Sequence, residues 1–297
     1  MADEKNHRRS KVESRAVKPR LRTICCQTEA ELMRPAGRFE GKRVLVTGAT
    51  RGIGFAIASA FHEEGAFVAL NGRTSGSVKR AQEKLPGSHM AVADLATVEG
   101  CQSAVISAID ALGGLDILIN NAGIFEKGSI EETSESIWDA VMNANVKGLY
   151  FTTQAALPAL KTAKGVIVNI ASESGLNGYP NTTAYCASKG AVVNLTRSMA
   201  MELAPDVRVN ALCPGVIETD MTRTGFAVNG DQDEGIRRQH DAYPLKRIGL
   251  LEEAAAATLF LASHEAGFIN GAALPMEGGA TVGKWEYRGR SSGCEHD

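Results

Sequence analysis

The sequence predicts an α/β fold: a doubly wound three-layer sandwich whose mostly parallel sheet, of about seven strands, is covered by helices on both faces. Three observations predict it. Short apolar runs alternate with helical stretches along most of the chain, and strands separated by helices need right-handed crossovers and therefore a parallel sheet. A length of 297 residues with 44% hydrophobic content suffices for one full core. Glycine is abundant and aromatics make up only 5%, as suits helices packed closely on a sheet.

The elements follow in order. RVLVT precedes a helix over 52–64, FVALN a helix over 76–85, and MAVA a helix over 97–112. DILIN precedes a long helical region from about 134 to 162. GVIVNI comes next, followed by the apolar-periodic stretch TTAYCASKGAVVNLTRSMAMEL, the run VRVNALC, a helix near 252–262 and the short strand AALPM. Ligands in such sheets bind outside the carboxyl ends of the strands, which directs attention to the polar residues found there.

TGATRGIG, from Thr47 to Gly54, directly follows the first strand. A buried strand opening through glycines onto a helix presents unpaired N–H groups and a positive dipole end, a phosphate site. Gly48 allows the tight turn, Gly52 close approach of a pyrophosphate and Gly54 tight helix packing. Farther along, Tyr185 and Lys189 lie four apart in the periodic stretch, one turn apart on one helix face. A charge about 4 Å from a phenol is worth roughly 4 kcal/mol at an effective dielectric near 20, so Lys189 is expected to draw the Tyr185 pKa down toward neutrality.

Together with Asp94-Leu95, Asn120-Asn121-Ala122-Gly123, Asn145, Ser172 and Pro214-Gly215 followed by Thr219, these motifs make the chain, from about Phe39 to Gly283, resemble the short-chain dehydrogenase/reductase family. The separations match that family: 27 residues from Asn145 to Ser172, 13 to Tyr185 and 4 to Lys189. The resemblance implies a Rossmann-type fold, hydride transfer between a nicotinamide cofactor and a ketone or secondary alcohol, and a tetrad of Asn145, Ser172, Tyr185 and Lys189. Tyr185 would be the acid for reduction and the base for oxidation, with Ser172 holding the substrate oxygen; Ser174 is a weaker candidate for that place. Lys189 would also hold the nicotinamide ribose, and Asn145 would kink its helix and bind a water leading from Lys189 to solvent. Gly48, Thr50, Arg51, Gly52, Ile53 and Gly54 would bind the cofactor, Asp94 and Leu95 would flank its adenine, and Asn121, Ala122 and Gly123 would line it. Pro214, Gly215, Ile217 and Thr219 would fix its carboxamide. The purely structural alternatives are a helix kink alone for Asn145, a strand-end cap for Ser172 and a cap of the following helix for Thr219.

The cofactor implied is NADP(H) rather than NAD(H). The family's acidic ribose-binding position falls on Gly72, while Arg73 follows it and Arg51 lies in the glycine loop. Guanidinium forks suit a 2′-phosphate. Residues 220–246 form a polar segment where the family keeps its substrate lid, and PLKRIG from Pro244 resembles 3-oxoacyl-(acyl-carrier-protein) reductases. The places where carrier-reading members carry arginines hold Ala163 and Asp206, with Lys161 and Lys164 as possible substitutes. A silent cofactor-binding regulator or scaffold is the alternative from another class.

Residues 1–38 hold ten Lys/Arg against five Asp/Glu with little periodicity, the composition of a disordered basic arm; residues 284–297 form a polar tail. The single domain is placed at 39–283. A net charge of −2 gives no footprint for nucleic acid, and no apolar run is long enough to span a membrane. Six unpatterned cysteines fit reduced thiols and no metal site. A cytoplasmic location is expected, with organelle targeting by the arm as the alternative. A homodimer or homotetramer through the helices near 134–162 and 183–203 is implied by the resemblance. Cys186 reads as packing, Met199 and Met201 as core filler, and His62, His89, His240 and His264 as having no role.

Overall fold

The computed structural model describes residues 37–227 and 229–283. Contacts divide the chain into two units, Met1–Pro35 and Ala36–Asp297; everything below concerns the second. The basic arm up to residue 36 and the polar tail 284–297 lie outside the described residues. Arg38, placed at the end of that arm, is paired to Glu64 at 2.7 Å.

Seven strands form one parallel sheet: β1 Arg43–Val46, β2 Phe67–Gly72, β3 His89–Val92, β4 Ile117–Asn120, β5 Val166–Ile170, β6 Arg208–Pro214 and β7 Ala273–Met276. Their order is β3-β2-β1-β4-β5-β6-β7, every pair parallel. The order reverses between β1 and β4, so the crevice beyond those two strand ends is the place where a ligand can enter.

The helices are α1 Gly52–Glu63, α2 Ser75–Lys84, α3 Val98–Leu112, α4 Glu135–Met142, α5 Gly148–Ala163, α6 Thr183–Leu203, α7 Asp220–Gly225, α8 Gln232–Ala242 and α9 Leu251–Ala262. Successive strand residues point to opposite faces, and here both faces are apolar. Val44, Val46, Ile117, Ile119 and Val168 enter one core with Ile57 and Phe61 of α1 and Leu259 of α9. Leu45, Leu118 and Ile167 enter the other with Val105 of α3, Leu160 of α5 and Val192 of α6. Unbroken apolar runs are thus what two-sided burial demands.

The helical region expected from about 134 to 162 runs without a break, and its residues Asn143–Lys147, with Asn145 at the centre, form a π-helical segment joining α4 to α5. Two expectations need correction. The polar segment 220–246 is largely helical, with Thr219 capping α7 and Asp231 capping α8 through hydrogen bonds to the Thr222 and Glu234 amides. Met201 is 84% exposed, so only Met199 serves the core; α6 turns it outward.

Candidate active site

The walls of the crevice are joined by Thr47, the residue after β1. Its hydroxyl donates to the Ile119 carbonyl at 3.2 Å and accepts from the Asn121 and Ala122 amides at 2.9 and 3.0 Å. Asn121 Nδ2 donates back to the Thr47 and Gly48 carbonyls. Asn71, at the end of β2, accepts from the Gly48 amide at 3.3 Å and donates to the Ala91 carbonyl at 2.8 Å. Gly48 has φ +61°, and a β-carbon there would lie 2.9 Å from Ala122 Cα. A β-carbon on Gly54 would run into the Gly48 carbonyl and the Asn121 amide. The third glycine therefore serves the loop itself as much as helix packing. Thr47 and Asn71 were not among the predicted site residues; only the pairing of distant strand ends reveals them.

Beyond β2, Thr50, Arg51, Arg73, Ser77, Arg80 and Lys84 line an open pocket of about 620 Å³, with Glu83 its acidic member. Arg51 and Arg73 are thus brought together as predicted. Arg80 and Lys84 add two cations that no motif announced, because α2 carries them there. At Gly72 a side chain is excluded: its β-carbon would overlap Thr50 Cγ2 and approach Val78 Cγ2 to 2.8 Å.

Asp94 is exposed, and its carboxylate accepts from the Ala96 amide at 3.1 Å. The Leu95 side chain is buried with Cys101 and Ala104, which fixes the chain beside Asp94. Thr219 caps α7, accepting from the Thr222 amide at 3.1 Å, and a β-carbon on Gly52 would touch its methyl at 3.6 Å. Thr50 and Ile53 lie on the glycine loop and at the start of α1, Pro214 ends β6, and Gly215 and Ile217 lead from it to Thr219.

The four polar residues converge. Ser172 follows β5, its hydroxyl accepting from the Ser174 amide at 3.1 Å and so capping the turn that follows; Ser172 and Ser174 are both half-buried. Tyr185 and Lys189 occupy one face of α6, with the ammonium 5.7 Å from the phenol ring centroid. Asn145 is buried: Oδ1 accepts from the Ile124 amide at 2.8 Å, while Nδ2 donates to the Ile124 carbonyl and to Ser188 Oγ, both at 3.0 Å. Ser188 in turn donates to the Tyr185 carbonyl at 2.8 Å. The π segment thus places Asn145 where it braces the loop after Gly123 against α6, a task for its side chain that spacing did not suggest.

The electrostatics differ from expectation. Burial pushes the Tyr185 phenol up to about 12, with a hydrogen bond to Ser172 pulling the other way. Burial likewise lowers Lys189 to about 8. Lys189 Nζ donates to the Ile170 carbonyl at 2.9 Å rather than to the phenol, so removal from water outweighs the mutual attraction that spacing led us to expect. On the other side of Tyr185, Phe125 packs edge-on at 4.9 Å and stacks on Phe226 of the α7 end at 6.3 Å. Lys127 lies 4.7 Å from the Phe226 ring and bonds the Gly225 carbonyl. Phe125 therefore borders the phenol, and Phe226 stacks on Phe125 rather than on the phenol itself.

Comparison with known proteins agrees with this arrangement. The family model described as Enoyl-(Acyl carrier protein) reductase matches residues 48–281. Meso-2,3-butanediol dehydrogenase of Serratia marcescens is 42% identical over 251 residues, which cover 82% of this chain and 96% of that protein. A 3-oxoacyl-[acyl-carrier-protein] reductase of Thermotoga maritima is 37% identical over 82% of this chain and its own full length. Among solved structures, the aldohexose dehydrogenase of Thermoplasma acidophilum superposes with a TM-score of 0.78 at 32% identity, covering 84% of this chain and 98% of that one. Seven parallel strands, the crevice at the point where their order reverses, and these matches lead to one conclusion: the chain belongs to the short-chain dehydrogenase/reductase family of nicotinamide-dependent oxidoreductases acting on alcohols and ketones.

Proposed function

We propose that the protein interconverts a ketone and a secondary alcohol with NADP(H), using Tyr185 as acid and base. The observation that carries this reading is the convergence of Tyr185, Ser172, Lys189 and Asn145 beside the glycine-loop crevice. The crevice suits a dinucleotide: β1 opens through Gly48 at positive φ onto α1, whose first N–H groups face a phosphate site. When bound, the cofactor supplies a hydride to the carbonyl carbon and takes it back in the reverse direction.

In reduction, the Tyr185 hydroxyl donates its proton to the carbonyl oxygen as carbon receives the hydride, leaving an alcohol and a tyrosinate that a proton from solvent restores. Ser172 holds that oxygen beside Tyr185. The phenol is in its proton-donating form throughout the neutral range, since burial pushes it up to about 12. Lys189 and the Pro214–Thr219 segment would seat the nicotinamide ribose and carboxamide, and the 2′-phosphate would lie among Arg51, Arg73 and Arg80. Two supports favour NADP(H): the cluster of cations in that pocket and the steric exclusion of an acidic side chain at Gly72. Phe125 and Phe226 favour a substrate with an apolar substituent.

A specific activity on 3-oxoacyl thioesters is the second reading, supported by PLKRIG and the Thermotoga maritima relative, with Lys161 and Lys164 exposed near the end of α5. We expect NADPH oxidation, followed by absorbance, with an activated ketone or a 3-oxoacyl thioester, and faster than with NADH. Tyr185→Phe should abolish turnover and leave NADPH binding intact. Tight NADPH binding by the wild type with no turnover across a broad carbonyl panel would instead identify a regulator or scaffold. A homo-oligomer built on α4, α5 and α6 is part of the same proposal.

A further inference from the structure

Glu173 directly follows Ser172, and the reaction proposed above makes no use of it. Its side chain is 7% exposed. Oε1 accepts a 2.7 Å hydrogen bond from the Tyr243 hydroxyl, and Oε2 is buried with no hydrogen-bond partner. Burial holds this carboxyl above the usual range; the Tyr243 and Tyr179 hydroxyls pull it down and the Glu277 charge raises it again. A carboxyl this deeply buried is costly even with hydroxyls beside it, and an apolar residue would have filled the place more cheaply.

Tyr243, 5% exposed, follows α8. Its hydroxyl also accepts from the Val216 amide at 2.8 Å. A phenol has one proton, so the direction is fixed: the Val216 N–H donates to Tyr243, and Tyr243 donates to Glu173. Val216 stands between Gly215 and Ile217, inside the segment that leads from β6 to Thr219. The fit is close, since a β-carbon on Gly215 would lie 3.0 Å from both the Tyr243 hydroxyl and Glu277 Cα. Glu277 is itself held by Thr281, whose amide and hydroxyl donate to it at 3.2 and 3.1 Å. Three pieces of chain therefore meet at one phenol: the end of β5 bearing Ser172, the end of the helical cover, and the peptide after β6.

We propose that Glu173 is a positioning residue which, through Tyr243, fixes the Val216 peptide and with it the surface that receives the nicotinamide carboxamide. This ties the orientation of the cofactor to the strand end that carries Ser172. It rests on the assignment of Pro214–Thr219 to the carboxamide under the proposed function.

The test is a set of variants, each measured for NADPH dissociation by fluorescence, for kcat and KM with an activated ketone, and for thermal midpoint. Losing one buried hydrogen bond predicts NADPH constants raised about tenfold in Tyr243→Phe and Glu173→Leu, with ketone KM within about twofold of the wild type. Glu173→Gln retains an acceptor for the phenol and should keep the NADPH constant within about twofold. The double variant Glu173→Leu/Tyr243→Phe should bind no more weakly than Tyr243→Phe alone, because both remove one linkage. Should Glu173→Leu not fold, Tyr243→Phe and Glu173→Gln decide the matter. A wild type that turns over, with variants whose NADPH constants are unchanged or whose only loss is a lower thermal midpoint, overturns this proposal alone. A wild type that binds no NADPH overturns the oxidoreductase reading and this proposal with it.

Discussion

Lys189 and Tyr185 stand one turn apart on α6, and each is pushed toward its neutral form by burial. The consequence for stability can be signed. Lys189 is lowered from 10.5 to about 8, so between those values the unfolded chain binds more protons than the native one, and stability rises with pH. At about 1.4 kcal/mol per unit, the lysine contributes a gain of about 3 kcal/mol across that window, fully present above it and absent below it. Chemical denaturation of the cofactor-free protein at pH 7 and at pH 10.5 should show this gain in the wild type relative to Lys189→Met. Equal pH dependence in the two would mean that Lys189 is not held out of water. Sequence spacing put this pair together correctly but gave the wrong electrostatics, because a four-residue interval carries no information on how much protein surrounds the two groups.

At the scale of the element, the end of β2 decides the second half of the cofactor. Gly72 has no room for a side chain against Thr50 and Val78, while Arg51, Arg73 and Arg80 surround the adjoining pocket. A charge-assisted hydrogen bond contributes about 1.5–3 kcal/mol, so Arg73→Ala should raise the NADPH KM by about tenfold or more and leave the NADH KM within about twofold. Gly72→Asp should lower the thermal midpoint without making NADH the better cofactor; efficient NADH use by that variant would show that the pocket relaxes and that the glycine is not what excludes the carboxylate. The strands and most helices were legible because two-sided burial writes uninterrupted apolar runs, and amphipathic helices write their own period. The cover was less so. α7 and α8 are short and polar, and α8 buries only Gly235 and Ile236, so no periodicity marks them; the caps Thr219 and Asp231, with Glu234 three residues on, were the available signal. Arg80, Thr47, Asn71 and the Glu173–Tyr243 pair escaped for another reason. Their partners are distant in the chain, and only the order of the strands brings them together.

For the whole molecule, the two cores on opposite faces of the sheet account for one compact unit, and among the described residues no helix is long and apolar enough to cross a membrane. The outer helices are less completely covered: Trp138 of α4 and Tyr150 of α5 are 42% and 44% exposed. Large aromatics left in water are the material of interfaces. We expect light scattering on the eluted protein to give two or four times the chain mass of 31.4 kDa, and Trp138→Glu to lower it; a wild-type mass of one chain would remove the basis for an interface on these helices.

The Thr47 hydroxyl, with one proton and its lone pairs all engaged across β1 and β4, has a thermodynamic consequence. A nucleotide arriving there would meet two strand ends already tied together, so little of its binding free energy would be consumed in ordering the loops. The cover beside Tyr185 is held instead by side chains, Lys127 on the Gly225 carbonyl and the Phe226 ring, and Phe125 stacked on Phe226. One end of the cleft is thus built from strand ends and the other from side chains on short helices, a division that would let new substrates be accommodated without re-founding the machinery for hydride exchange.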